Sequence, residues 1–113
     1  MHEMAIAEGI LDIALDYAAR NDAKRIGKIS LLLGEMSGVE TEALTFCFSL
    51  LVRGTIAEDA ELALHRVPLM GRCRSCGAET HIEHYNFTCP ACHTGQLDIL
   101  SGREMQVEYL EVE

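Results

Sequence analysis

Apolar residues recur at helical spacing in the first part of the chain. From Met4 to about Ala19 they fall on two adjoining rows, namely Ile6, Ile10, Ile13 and Tyr17 and, flanking them, Ala7, Leu11, Ala14 and Ala18. The acidic residues mark a different face; they are Glu8, Asp12 and Asp16. Positions three and four residues apart share one side of an α-helix. The pattern therefore predicts an amphipathic helix.

The residues that follow predict a strand and a second helix. Residues 25–33 alternate between apolar and polar positions, which indicates a strand that ends at Gly34. An apolar stripe at helical spacing then leads to about Arg53; its members are Val39, Ala43, Leu44, Cys47, Phe48 and Leu51. Ser37 and Glu40 have the spacing of a capping box and mark the start of this helix.

Alternation returns in residues 61–67 and again in residues 105–109. Between these two predicted strands lies a segment that is poor in aliphatic residues and rich in Cys, His and Gly. The order of elements predicts an α+β fold, in which a cysteine module is inserted into a small domain of two helices and a three-stranded sheet. We expect residues 1–69 plus 103–113 to form that domain and residues 70–102 to form the module.

Four cysteines in the inserted segment have the spacing of a metal site. Cys73 and Cys76 form one C-x-x-C pair, and Cys89 and Cys92 form a second pair twelve residues further on. Two such turns facing each other supply the four thiolates of a structural zinc site. Disulfides or a redox dithiol are the competing interpretation, but neither a secretory signal nor a strand-helix-strand unit accompanies the cysteines.

Composition excludes several classes of function. Eighteen acidic residues outnumber nine basic ones, for a net charge of −9, whereas nucleic-acid binding rests on clustered Lys and Arg. No apolar stretch approaches the ~20 residues that span a bilayer. We therefore expect a cytoplasmic protein that binds neither nucleic acid nor membrane.

The first three residues could form a second metal site. In Met1-His2-Glu3, the terminal amine, the amide nitrogen of His2 and its imidazole can close fused chelate rings. Planar nitrogen ligation of this kind suits Ni(II) or Cu(II) better than Zn(II). Taken alone the pattern is weak, because a His at this position also arises by chance and most terminal residues are solvated ends.

Several motifs together resemble a known family. They are Met1-His2-Glu3-Met4, residues 33–40 (LGEMSGVE), residues 44–48 (LTFCF) and the two cysteine pairs. In order, length and placement they are similar to the nickel metallochaperones of nickel–iron hydrogenase maturation, the HypA/HybF family, over essentially the whole chain. The resemblance implies that Met1, His2 and Glu3 hold Ni(II) as transient cargo, and that Cys73, Cys76, Cys89 and Cys92 hold a structural zinc.

The same resemblance implies partners. A member of this family would dock to a nickel-handling GTPase and to the hydrogenase large-subunit precursor, and pass nickel towards the active site. Some members also serve urease, so urease maturation proteins are further candidates. A homodimer is a further candidate, because only two short connections join the inserted module to the rest of the chain. The module could therefore exchange with that of a neighbouring chain.

The remaining candidate residues have simpler interpretations. Cys47 lies on the apolar stripe of the second helix and is expected to be an inert core thiol. The histidines of the module are expected to face solvent or to make pH-sensitive contacts instead of ligating zinc; they are His81, His84 and His93. The acidic residues Glu108, Glu111 and Glu113 are expected to form a solvated strand edge that discourages pairing.

No nucleophile, base and orienting residue appear together, and a zinc bound by four cysteines has no open position for water. The chain is therefore interpreted as a non-enzyme. Two alternatives to the metallochaperone hypothesis remain open: a zinc-ribbon adaptor without cargo metal, and a thiol redox switch that releases zinc on oxidation.

Overall fold

The computed structural model describes residues 2–113, which form two α-helices and two three-stranded sheets. The helices are α1 (Glu3–Arg20) and α2 (Thr41–Leu51). The strands are β1 (Ile26–Gly34), β2 (Glu61–Val67), β3 (Met70–Cys73), β4 (Glu79–His81), β5 (Leu97–Ser101) and β6 (Met105–Val112). The predicted α+β class, with two helices, a three-stranded sheet and an inserted cysteine module, is confirmed.

The chain folds into two compact units. Unit 1 contains the described residues up to Leu32, together with Gly38–His65 and Met105–Glu113. Unit 2 contains Leu33–Ser37 and Arg66–Glu104, so it includes all of the residues expected in the inserted module and short segments on either side of them.

In unit 1, β1 is the central strand of the sheet, which has the order β2-β1-β6. The central strand is the most deeply buried of the three, because it has a neighbour on each edge; its fully buried side chains include Ile26, Ile29 and Leu31. Helix α1 packs against α2 and β6. Neither helix in the described part of the chain is long and apolar enough to cross a bilayer.

Helix α1 buries its small residues more completely than its large ones. The buried positions are Ala7, Ile10, Leu11, Ala14 and Ala18. Ile13 and Tyr17, which the sequence pattern groups with the apolar face, are 47% and 55% exposed. Alanine has a short side chain, and a row of alanines lets a helix backbone approach its neighbours closely. Helix α1 therefore packs most tightly along the row that contains its alanines. Part of the row that contains its isoleucines remains exposed to solvent.

The start of α2 differs from the predicted capping box. The N-cap is Glu40, whose Oε1 accepts a hydrogen bond from the N–H of Glu42 at 3.3 Å. Ser37 instead ends a short 3-10 turn, Glu35–Ser37, and Gly38 follows with a left-handed φ of 72°. A left-handed residue between Ser37 and the helix is incompatible with Ser37 being the cap, so this part of the prediction is wrong.

Unit 2 is organised around a sheet of order β4-β3-β5, in which β3 pairs antiparallel with both neighbours. The core beside it combines three aliphatic side chains with two cysteines: Leu69, Ile82, Leu97, Cys73 and Cys89. Gly71 lies between two of them, because a Cβ there would come within 3.0 Å of Leu97 and 2.9 Å of Ile82. The unit therefore has a small core that continues directly into the cysteine cluster.

Candidate metal sites

The four cysteine sulfurs of unit 2 converge on one point. All four Sγ atoms lie within 4.8 Å of one another, and the separations between Cys73 and Cys92 and between Cys76 and Cys89 are each 3.7 Å. In a tetrahedral site with metal–sulfur bonds of about 2.3 Å, neighbouring sulfurs lie about 3.8 Å apart. The cluster therefore has the size of a four-coordinate metal site.

The two C-x-x-C pairs have the same backbone turn. In the first, the N–H of Gly77 donates to the carbonyl of Cys73 at 3.1 Å. In the second, the N–H of His93 donates to the carbonyl of Cys89 at 2.9 Å. The residue after each pair is left-handed, with φ of 75° at Gly77 and 63° at His93. Gly77 has no Cβ and adopts this conformation without steric cost, whereas His93 adopts it despite its side chain.

Backbone N–H groups point at the sulfurs. Cys73 Sγ accepts from the N–H of Ser75 at 3.3 Å, and Cys92 Sγ accepts from the N–H of Gly95 at 3.3 Å. The N–H groups of Thr94 and Gly95, with the Thr94 hydroxyl, lower the pKa of the Cys92 thiol to about 6. Donors directed at a sulfur stabilise its thiolate, which is the form that binds a metal.

The sulfurs differ in their access to solvent and in their charge. Cys73 and Cys89 are buried, whereas Cys76 is exposed. The pKa of Cys76 is affected most by the N–H of Ala78, which lowers it, but hydrogen bonding with Cys73, burial and the other neighbouring thiols together raise it to about 11. Thiols this close repel each other once ionised, so a cation at the centre is needed to keep all four deprotonated.

Gly95 is a feature of this site that the sequence analysis did not identify. A Cβ at this position would overlap Cys73 Sγ and would also lie 3.1 Å from Ser75 Cβ. Only glycine therefore fits at position 95. A side chain there would meet the first C-x-x-C turn, although the residue follows the second turn in the sequence. Its position three residues after Cys92 is the local signal that could have identified it.

The histidines of unit 2 lie outside the cysteine cluster. In the part of the chain that the structure describes, the four cysteines are the one group of three or more His, Cys, Asp or Glu side chains arranged to hold a metal ion. His84 and His93 are exposed. Cys47 is half-buried on α2. The four cysteines that the C-x-x-C spacing singles out therefore form the cluster, and the histidines of unit 2 are not members of it.

His81 instead pairs with an acidic residue, which is a pH-sensitive contact of the kind expected from the sequence. Its Nε2 lies 2.7 Å from Oε1 of Glu35, and the same oxygen accepts a hydrogen bond from the N–H of Leu69 at 2.9 Å. The pKa of His81 is raised chiefly by Glu35, and the pKa of Glu35 is lowered first by the Leu69 N–H and then by His81. The partners are 46 positions apart, so no sequence pattern could have predicted the pair.

At the start of the chain, Met1 lies outside the described residues. His2 is exposed and is the N-cap residue of α1; its carbonyl accepts a hydrogen bond from the N–H of Ile6 at 3.1 Å. Glu3 Oε2 accepts a hydrogen bond from the N–H of Glu40 at 3.1 Å, which is the main reason that its pKa is lowered. This hydrogen bond joins the first turn of α1 to the cap of α2.

Together, the two-helix unit and the four-cysteine unit define a small α+β metal-binding protein. A family model described as "Hydrogenase/urease nickel incorporation, metallochaperone" (HypA) matches residues 1–112. The chain is also 42% identical to the hydrogenase maturation factor HypA of Prosthecochloris aestuarii over 114 residues, and 40% identical to that of Chlorobaculum tepidum over 113 residues. Both alignments cover 100% of each chain. The chain belongs to the HypA family of metallochaperones.

Solved structures support the fold independently. The solution structure of the nickel metallochaperone HypA from Helicobacter pylori matches with a TM-score of 0.69 and 22% identity, over 99% of this chain and 97% of that one. A second HypA solution structure gives a TM-score of 0.74 with 22% identity, over 100% and 97% of the two chains. At this level of identity the likeness concerns the fold. The family resemblance predicted from the sequence motifs is confirmed.

Proposed function

We propose that this chain is a nickel metallochaperone that binds Ni(II) through Met1, His2 and Glu3 and delivers it for maturation of nickel–iron hydrogenase. In the same proposal, a structural Zn(II) is held by the four cysteines of unit 2. Membership of the HypA family is the observation that carries this proposal. The description of that family names nickel incorporation, and the chain offers two sets of candidate metal ligands.

The ligands at the start of the chain favour nickel over zinc. The terminal amine, the His2 amide and the His2 imidazole form a planar nitrogen set, which Ni(II) accepts and tetrahedral Zn(II) does not favour. The Glu40 N–H donates a hydrogen bond to the carboxylate of Glu3, the residue that follows His2 in the sequence. The Glu3 carboxylate, whose pKa is lowered chiefly by the Glu40 N–H, adds a negative charge next to the proposed nitrogen ligands, and a negative charge favours a nearby cation.

The cysteine cluster has the opposite character. Four thiolates with the spacing of a tetrahedron suit zinc, and a site with four protein ligands leaves no position for exchange. Its place in the small core of unit 2 supports a structural role. We therefore assign residues 1–69 plus 103–113 to a nickel-binding domain and residues 70–102 to a zinc-binding domain.

Nickel transfer would proceed by ligand exchange. Binding requires loss of protons from the terminal amine and an amide, so affinity increases with pH. A partner that occupies an open planar position displaces these ligands, and nickel leaves as they regain protons. The partners in this proposal are a nickel-handling GTPase and the hydrogenase large-subunit precursor, with urease maturation proteins as further candidates.

A nickel titration tests the cargo site. Tag-free, zinc-loaded protein is compared with His2→Ala and with a variant that carries one extra Gly before Met1. We expect the wild type alone to bind one Ni(II) with the yellow absorbance of a planar, low-spin complex, while zinc stays at one per chain. The extra residue matters because it moves the amine out of the chelate without changing any side chain.

The alternatives predict different outcomes. If all three proteins bind nickel alike, or if none does, the start of the chain is not the cargo site and a zinc-ribbon adaptor becomes the better account. A thiol redox switch predicts reversible zinc release under mild oxidant. Retention of zinc under those conditions would count against that alternative.

A further inference from the structure

Residues 33–37 are continuous with β1 but belong to unit 2. The boundary between the units falls inside β1, because Leu32 belongs to unit 1 and Leu33 to unit 2. The 3-10 turn Glu35–Ser37 follows the strand, and the N-cap of α2, Glu40, lies shortly after the turn. The contacts of this segment with the rest of unit 2 therefore act on the connection between β1 and α2.

The backbone of this segment is hydrogen-bonded to the last residues of unit 2. The N–H of Met36 donates to the carbonyl of Gly102 at 2.7 Å, and the N–H of Gly34 donates to the carbonyl of Glu104 at 2.7 Å. The two passages of the chain approach so closely that a Cβ at Gly34 would overlap the carbonyl of Gly102. Only glycine therefore fits at position 34 without moving one passage away from the other.

Two side chains of the segment contact the residues around the cysteine cluster. Oε1 of Glu35 accepts a hydrogen bond from the N–H of Leu69 at 2.9 Å and lies 2.7 Å from Nε2 of His81. Met36 packs against the core of unit 2, which contains Leu69 and two of the four clustered cysteines. The segment is therefore positioned by a core to which metal ligands themselves belong.

This core is expected to depend on the metal. Its aliphatic part consists of three side chains, Leu69, Ile82 and Leu97. A core this small is usually insufficient without a metal or disulfides. The turn Glu35–Ser37 is a single short 3-10 turn and has little stability of its own. Loss of the metal should therefore disorder the core and remove the contacts that position residues 33–37.

We propose that residues 33–37 form a metal-dependent segment: metal in the cysteine cluster holds them on unit 2, and metal loss releases them while residues 26–32 of β1 stay in the sheet β2-β1-β6. The connection between β1 and α2 then depends on the metal content of unit 2. This inference rests on the part of the proposed function that places zinc in the cysteine cluster. It does not rest on nickel binding.

Amide hydrogen exchange tests this dependence on the full chain, zinc-loaded and after treatment with a strong chelator. We expect the amides of Met36 and Cys73 to exchange at least about tenfold faster without metal, because their hydrogen bonds lie within unit 2. The amides of Ile26 and Val52 are the controls, since they are hydrogen-bonded within unit 1 at 2.9 and 3.1 Å. Their exchange should change by less than about threefold.

Zinc content is measured on the same samples, so that two failures can be distinguished. A chain that binds no zinc would overturn the metal site and this proposal with it. If the chain binds zinc and Met36 stays protected after metal removal while Cys73 loses protection, this proposal alone is overturned. Equal loss of protection at Ile26 and Val52 would also overturn it, because the metal would then stabilise the whole chain and not this segment selectively.

The dependence must be reciprocal, so a change in the segment should weaken zinc binding. In Gly34→Ala the added Cβ would push the segment away from Gly102, and we expect affinity for zinc in chelator competition to fall about 5- to 150-fold. Gly9→Ala is the matched control, because a Cβ there meets nothing within 4 Å, and it should keep its affinity. Glu35→Ala removes the carboxylate contacts without crowding the backbone and should also weaken zinc binding. Unchanged affinity in both segment variants would overturn the proposal.

Discussion

The imidazole of His81 lies against the carboxylate of Glu35, with 2.7 Å between Nε2 and Oε1. Glu35 belongs to the short 3-10 turn and His81 ends β4, so the contact joins two segments of unit 2 that are far apart in the sequence. Glu83 also approaches His81, at 3.8 Å from Nδ1, and Arg66 contributes to lowering the pKa of Glu35.

This pair predicts a dependence of stability on pH. Because the pKa of His81 is raised, its stabilising contribution is present below its ordinary pKa and is lost as pH rises through the higher value. Because the pKa of Glu35 is lowered, its contribution is present above its ordinary pKa and is lost as pH falls through the lower value. The pair should therefore stabilise unit 2 most at mildly acidic pH.

Thermal unfolding of His81→Gln measures this effect. We expect the variant to be less stable than the wild type at about pH 6 and the difference to be smaller at an alkaline pH of about 9, because the stabilisation is lost as the imidazole loses its proton. His65→Gln is the matched control, because His65 is exposed on β2. An equal difference at both pH values would show that the charge of His81 does not contribute.

The contact between Glu3 and Glu40 predicts sensitivity to acid in unit 1. The Glu40 N–H lowers the pKa of Glu3, so the stabilisation is present above the ordinary pKa of a glutamate and is lost as pH falls through the lower value. We expect Glu3→Gln to lose less stability than the wild type on acidification from about pH 6 to about pH 3. Glu8→Gln, on the exposed side of the same helix, should follow the wild type; parallel curves for all three proteins would exclude the effect.

Replacement of Gly95 by Ala should damage the metal site without removing a ligand. The added Cβ would overlap Cys73 Sγ, so the sulfur must move away from the centre. We expect affinity for zinc to fall about 10- to 100-fold, the range for altered groups around a metal's ligands, as measured by competition with a chromophoric chelator. Gly77→Ala is the control, because a Cβ there meets nothing within 4 Å. That variant should lose about 1 kcal/mol of stability from its left-handed φ while keeping its affinity for zinc.

Loss of one cysteine should unfold the cysteine unit selectively. Cys73 is buried in the small core of unit 2, so we expect Cys73→Ser to lose bound zinc and the amide signal dispersion of β3 to β5. Removal of metal from the wild type with a strong chelator should have the same effect. Cys47→Ser should retain one zinc per chain, because Cys47 lies on α2. A folded, metal-free unit 2 would contradict a structural role for the metal.

The local features of this protein follow from short stretches of its sequence. The C-x-x-C spacing predicts the cysteine cluster because each pair needs one short backbone turn, and a turn depends on neighbouring residues. The strand at residues 61–67 and the two helices are likewise found where the hydrophobic periodicity places them. The family resemblance could also be recognised from the sequence, since its motifs are contiguous runs of residues.

Contacts between groups from distant segments depend on the tertiary fold and could not be predicted from local patterns. Hydrophobic periodicity assigns both rows of α1 to one side, but only packing against α2 and β6 selects the alanine row and leaves Ile13 and Tyr17 exposed. The Glu35–His81 pair and the confinement of Gly95 by Cys73 arise in the same way, from approaches between separate elements of unit 2. Hydrophobic periodicity indicates which face of a helix or strand is apolar. The volume of the side chains and their contacts with distant segments determine how closely that face packs.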